Sequence, residues 1–230
     1  MKYLGIDTST GSASVAIAMD GIVTETVLGQ DCRQSAMIIT AIDQLLGTNN
    51  IGIQDLQGVA CVAGPGSFTG LRVGMCTAKA LSYGAGIKLY SVSALEAMAW
   101  QVLDAGHEGN ACVMLDARND QVYMGCYSLK AGQEPQPLME DKAGSINDLL
   151  SEALELMGET VILAGTGIYA HVDMVPATAK VVENIDRPSA KAAASIAIYM
   201  DKNGIYADPV TAAPNYLRKS QAERAREVAN

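Results

Sequence analysis

The chain has 230 residues, 49% of them hydrophobic and 18% charged, enough apolar material to bury a sizeable core, which excludes a disordered polymer. Sixteen basic against 25 acidic residues give a net charge of −9, with no basic stretch before the last dozen residues, which argues against tight RNA binding by this chain alone. No run approaches the roughly 18 apolar residues of a membrane span, and residues 1–7 lack a signal-peptide pattern, so a cytoplasmic protein without membrane attachment is expected.

In chain order, residues 2–7 read as a strand, a Thr-Ser-Thr-Gly turn follows, and residues 12–19 read as a second strand. Asp20-Gly21 is a two-residue hairpin signal, since both residues tolerate positive φ, and it leads into a third strand over 22–28. A helix over 33–46, a buried strand over 59–63, the loop Gly64-Pro65-Gly66-Ser67-Phe68-Thr69-Gly70 and a helix over 71–83 come next. After a strand over 87–92, Ser93-Ala94-Leu95-Glu96 has capping-box spacing and starts a helix that ends near Gly106. Residues 107–110 read as a linker, dividing a first lobe, 1–106, from a second lobe and tail, 107–230, whose last helix packs back on the first. The second lobe reads as strands over 111–115 and 121–128, a polar loop over 130–142, a helix over 147–157, a strand over 161–164 and a helix over 189–203. A strand ending at an Asp, Asp7 or Asp116, and followed by a returning strand occurs in both halves, which suggests related lobes.

Residue chemistry narrows the function. Glycines at 64, 66 and 70 before a helix start suit an anion or another backbone, and equally a tight turn with Phe68 tucked beneath it. The loop is neither a Walker motif nor dinucleotide-spaced. Asp7 and Thr8, Asp116 and Arg118, and Gly165 and Gly167 are candidates to face a nucleotide, each with a plain turn as the alternative; Ala117 and the long Arg118 stand where a phosphate clamp needs Gly beside the Asp so that the backbone can approach. Only two histidines occur, far apart, and the five cysteines form no C-x-x-C pair, so a histidine-based metal site and a Ser-His-Asp triad are not expected, and reduced buried thiols are. A carboxylate-only magnesium site from Asp7 and Asp116 ranks below a structural role for both. The helix over 33–46 carries apolar residues around more than one stripe, Met37, Ile38, Ile42 and Leu45 among them, and the next helix offers Leu71, Gly74, Met75 and Ala78 with small residues four apart. These are assigned to a partner interface, with a wholly buried helix pair as the alternative.

Leu4-Gly5-Ile6-Asp7-Thr8-Ser9, the loop 64–70 continuing into Leu71-Arg72-Val73-Gly74, Leu115-Asp116-Ala117-Arg118 and Tyr216-Leu217-Arg218-Lys219-Ser220-Gln221-Ala222-Glu223 together resemble the TsaB (YeaZ) family over nearly the whole chain. The resemblance implies an α/β fold of the actin, sugar-kinase and Hsp70 class, with two ribonuclease-H-like lobes and the second reduced. It further implies a non-catalytic subunit in the threonylcarbamoylation of tRNA adenosine next to the anticodon. Such a subunit pairs with a catalytic TsaD-type homologue, is joined by a TsaE-type P-loop ATPase, meets tRNA only through the complex, and self-associates as a homodimer when alone. ATP is then used by the complex, and no cofactor or metal is held by this chain alone. Many relatives carry His-Ser-Glu where this chain has Gln34-Ser35-Ala36, so no role of that His or Glu carries over. The two other readings are an autonomous nucleotide-dependent enzyme using Asp7, Asp116 and residues 165–167, and, more weakly, a peptidase.

Overall fold

The computed structural model describes residues 1–29, 34–158 and 160–218. Cys32, Arg33, Lys219, Arg224, Arg226 and the charged tail over 221–230 lie outside the described residues, as do the side chains of Gln34, Ser35 and Ala36.

Strands β1 (Lys2–Asp7), β2 (Ala13–Met19) and β3 (Ile22–Leu28) form an antiparallel meander, with Asp20 and Gly21 at φ 52° and 82° making the predicted hairpin turn. Helix α1 (Gln34–Thr48) then leads to β4 (Gly58–Gly64), α2 (Phe68–Ala85), β5 (Lys88–Ser93) and α3 (Ala94–Asp104). The five strands lie in the order β3-β2-β1-β4-β5, with β4 and β5 parallel to β1.

A second sheet repeats this plan. It is built from β6 (Gly109–Arg118), β7 (Gln121–Leu129), the short β8 (Gln136–Pro137) and β9 (Lys142–Ser145), then α4 (Ile146–Met157), β10 (Ile162–Ala164), α5 (Thr166–Ala170), β11 (Lys180–Val182) and α6 (Ala190–Lys202). Its order is β11-β10-β6-β7-β8 with β9 also on β7, so β6, β7, β10 and β11 take the places of β1, β2, β4 and β5. The two halves are therefore ribonuclease-H-like lobes in the duplicated arrangement of the actin, sugar-kinase and Hsp70 class. Reduction of the second is most visible in α5, which has 5 residues where its counterpart α2 has 18.

Helices α3 and α6 sit between the sheets in one shared core, where alanines 190, 192, 193, 194 and 197 keep α6 thin enough to lie close to the first sheet. At Gly5 on β1 a methyl group would overlap the Ala190 carbonyl, which shows how close that approach is. The outer face of the first sheet is covered by α1 and α2, and that of the second by α4. After α6 the chain returns along the first lobe. Ala207 N donates to Leu89 O at 2.8 Å, Lys79 Nζ donates to Val210 O and Ala212 O, and Asn215 N donates to Ala63 O at 2.7 Å.

Several boundaries differ from the sequence reading. Helix α2 starts at Phe68, three residues early, because Ser67 caps it by accepting from Gly70 N, so half of the glycine loop is the first turn of a helix. Of the linker predicted over 107–110, Gly109 and Asn110 belong to β6, paired with Leu129 and Ser128. Strands β8, β9 and β11 and helix α5 carry no sequence signal and differ from the reading; each is 2 to 5 residues long and exists through pairing or packing with β6 or β7 and their neighbours. Ser93 caps α3 as predicted, accepting from Leu95 N and Glu96 N. No helix among the described residues is long and apolar enough to cross a membrane.

Candidate functional site

The two lobes enclose a cleft of about 690 Å³. One wall is the β1–β2 turn, residues 9–12, with Gly66, Ser67, Phe68 and Thr69 beside it; the other is the end of β6, residues 115–118, with Tyr123 and Thr166, and Asp186 and Arg187 complete the lining. Its polar groups carry both signs, Asp116 and Asp186 against Arg118 and Arg187, and Arg187 donates to Ser12 Oγ at 2.6 Å.

Of the residues predicted to face a nucleotide, only Asp116 and Arg118 line this cleft. Asp7 lies behind it, 1% exposed, with Oδ1 accepting from Ser9 N at 2.8 Å and Ser9 Oγ at 2.6 Å. Thr8 is fully buried and donates to Gly70 O at 2.7 Å. Gly165 and Gly167 press against β6, where a methyl at either would meet Met114, so they serve packing; Thr166 between them reaches the cleft and accepts from Asp116 N at 3.0 Å. Arg118 N donates back to Asp116 Oδ1 at 2.7 Å, and Arg118, Asn119 and Asp120 all have positive φ, a costly run for side-chain-bearing residues that fixes this turn.

The glycine loop is explained by its neighbours. A methyl on Gly66 would meet the Ser9 carbonyl, one on Gly70 the Thr8 carbonyl, and one on Gly74 the Thr8 hydroxyl. Ser67 N donates to Ser9 O at 2.7 Å. The loop and the first turns of α2 are thus seated on the β1–β2 turn, backbone against backbone. Phe68 is not tucked under the loop: it is 39% exposed, stacks on Tyr216 with centroids 5.0 Å apart, and lies 3.9 Å beneath the Arg72 guanidinium, which also donates to Tyr216 Oη. Arg218 then donates to Ala117 O at 2.8 Å, so the returning segment joins the glycine loop of one lobe to the end of β6 in the other. Sequence reading missed this tie; its signal was the Tyr216-Leu217-Arg218 run, an aromatic and a cation in an otherwise plain segment.

Burial outweighs the two Ser9 hydrogen bonds at Asp7 and raises its pKa from 3.8 to about 6, with Glu25 adding to the rise and Arg187 opposing it. Because the folded value lies above the unfolded one, the folded chain holds more protons between pH 4 and 6, and stability falls as pH rises through that window. Above it the full penalty applies, on the order of 2–3 kcal/mol. Asp7→Asn, which keeps an oxygen for Ser9, is therefore expected to raise the urea midpoint at pH 8 and to lose that advantage near pH 4; equal midpoints for both proteins at pH 8 contradict this assignment.

On the outer side of the first lobe the predicted interface residues divide sharply. Ile38, Ile42, Leu45, Leu71, Gly74, Met75 and Ala78 are buried in the core of the first lobe, and only Met37, 40% exposed, faces outward. The assignment of the seven to a partner surface is corrected: they hold α1 and α2 on the sheet. The outward face instead carries Met37 and Ile39 on α1 and Cys76, Ala80 and Tyr83 on α2, with Ile39 53% and Tyr83 75% exposed. Among the described residues no three His, Cys, Asp or Glu side chains are grouped as metal ligands.

The family model described as TsaD, tRNA N6-adenosine threonylcarbamoyltransferase, matches residues 31–226. The chain is similar to the tRNA threonylcarbamoyladenosine biosynthesis protein TsaB of Bacillus subtilis, at 29% identity over 97% of this chain and 96% of that protein. To TsaB of Escherichia coli it is 27% identical, over 96% of each. Among solved structures, YeaZ from Pseudomonas aeruginosa superposes with a TM-score of 0.78 at 23% identity, covering 94% of this chain and 99% of that one. Another solved structure, of a P. aeruginosa protein described as similar to peptidase YEAZ, gives 0.82 at 24% identity with the same coverage.

Proposed function

This chain belongs to the TsaB (YeaZ) group within the family described as TsaD, tRNA N6-adenosine threonylcarbamoyltransferase, and we propose that it is the accessory, non-catalytic subunit of tRNA threonylcarbamoylation. In this reading it pairs with a TsaD-type transferase, a TsaE-type ATPase joins them, tRNA and ATP are handled by the assembly, and this chain alone holds no cofactor. A homodimer forms when the transferase is absent.

The observation that carries the reading is the seating of the glycine loop. Gly66, Gly70 and Gly74 use their missing side chains to approach Thr8 and Ser9, and Asp7 is buried under a hydroxyl and an amide. Groups that in the nucleotide-dependent reading face a phosphate are here engaged otherwise: the Asp7 carboxylate holds Ser9 in the β1–β2 turn, and Thr8, Ser9 and Ser67 tie that turn to the loop and α2. What they build is a rigid platform for the outward face of α1 and α2, whose exposed Met37, Ile39 and Tyr83 offer apolar area to a partner. Mixing this chain with the transferase and measuring mass by light scattering tests the pairing. A single species at the summed mass is expected at micromolar concentration, and two unmixed species would contradict it.

The cleft keeps a second reading alive. Asp116, Arg118 and Arg187 line a space large enough for a nucleotide. Titration calorimetry with magnesium ATP separates the two: saturable binding with turnover by the purified chain favours an autonomous enzyme, and no heat favours the accessory role.

A further inference from the structure

We propose that Cys112 and Cys126 are a modification site, forming a reversible disulfide between β6 and β7 by exchange with a small-molecule disulfide. The two residues stand directly opposite each other in the antiparallel register, and their Sγ atoms are 3.1 Å apart. Opposed residues of an antiparallel pair have Cα atoms about 4.5–5.5 Å apart, which falls inside the span a disulfide bridges. The bond therefore needs about 1 Å of convergence by two sulfurs and no backbone rearrangement. Both side chains point to the α4 side of the second sheet, into a core with Met114, Met124 and Leu149, and neither touches the cleft or the outward face of α1 and α2.

The step balances as thiol–disulfide exchange. One cysteine thiolate attacks a sulfur of the small disulfide, giving a mixed disulfide and one released thiol. The second cysteine then attacks the protein-bound sulfur, forming the Sγ–Sγ bond and releasing the second thiol. The two cysteines lose two electrons and two protons, and the small disulfide gains them. Contact with Cys126 and burial both push the Cys112 thiol up from its ordinary range, so it is a poor nucleophile in the closed core. Exchange accordingly takes place while the lobe folds or when β7 opens, and the closed core afterwards shields the bond from reductant. Strand β6 runs on from Cys112 to residues 115–118, so oxidation tethers the strand pair that carries one wall of the cleft.

Among the other described thiols, Cys61 is buried in a different core and Cys76 is exposed on α2, so Cys76 serves as an exposed reference thiol in the same map. The full chain is unfolded in reductant, refolded in equal amounts of reduced and oxidised glutathione, quenched in acid, alkylated in denaturant and mapped by mass spectrometry. The expected result is a cross-linked pair of peptides containing Cys112 and Cys126, with the chain lighter by two hydrogens, while Cys126→Ala leaves Cys112 fully alkylated. Complete alkylation of both cysteines in the refolded wild-type chain overturns the proposal, and so do glutathione adducts on either without a cross-link. The wild-type map decides the matter even if the variant does not fold.

Discussion

Ile39→Arg on the outward face of α1 is expected to abolish pairing with the transferase, and with it tRNA modification, while leaving the chain folded. Ile39 is 53% exposed and belongs to none of the buried clusters, so a substitution there changes stability by no more than about 0.5 kcal/mol. At an interface the same guanidinium is taken out of water without a partner, which costs about 3–5 kcal/mol and weakens binding on the order of 100-fold or more. Ala80→Arg on the neighbouring helix is expected to behave in the same way, because Ala80 is exposed beside Tyr83. Substitution of Ile38 or Ile42, one turn apart on the opposite face, acts through folding instead, since both are buried against the sheet. Circular dichroism together with sedimentation of the mixed proteins separates these outcomes. An Ile39→Arg chain that is folded and still pairs at wild-type affinity would place the interface elsewhere.

Gly70→Ala is expected to destabilise the chain by about 3 kcal/mol or more, although it adds alanine, the best helix former, to a helix. The new methyl group collides with the Thr8 carbonyl, which belongs to the backbone of the β1–β2 turn and cannot rotate away as a side-chain tip could. Gly84→Ala in the same helix is the matched control. Nothing lies within 4 Å of a methyl there, so the intrinsic preference is free to act and the variant gains up to about 1 kcal/mol. Urea denaturation of the pair should move the midpoints in opposite directions. Equal shifts of the same sign would mean that the glycine loop is not seated on Thr8 and Ser9.

How far these features can be read from sequence depends on whether their cause is local. The hairpin at Asp20-Gly21, the cap at Ser93 and the ends of β3 are set by neighbours in the chain, and all are found where their residues predict. Strand β11 and helix α5 carry no such signal, because three or five residues hold no period and gain their form from β10 and β6. The glycine loop was recognisable as special while its reason was not: its partners Thr8 and Ser9 are more than fifty residues away, and nothing in Gly64 to Gly70 says whether an ion, a partner or the chain itself comes close. Helix α1 is the most instructive case. Its apolar residues were evident, but Ile38, Ala41, Ile42 and Leu45 follow the i, i+3, i+4, i+7 stripe of a single buried face, and Met37 and Ile39 fall outside it. Separating those two sets before assigning an interface selects the exposed residues from sequence alone.

The accessory role is tested most directly by reconstituting tRNA threonylcarbamoylation from purified components, with the transferase and the P-loop ATPase present and this chain added or withheld. The predicted result is modified tRNA only when this chain is present, with Asp116→Ala as active as wild type and Ile39→Arg inactive. Full modification without the chain, or its loss with Asp116→Ala in a protein that still folds and pairs, would contradict the account.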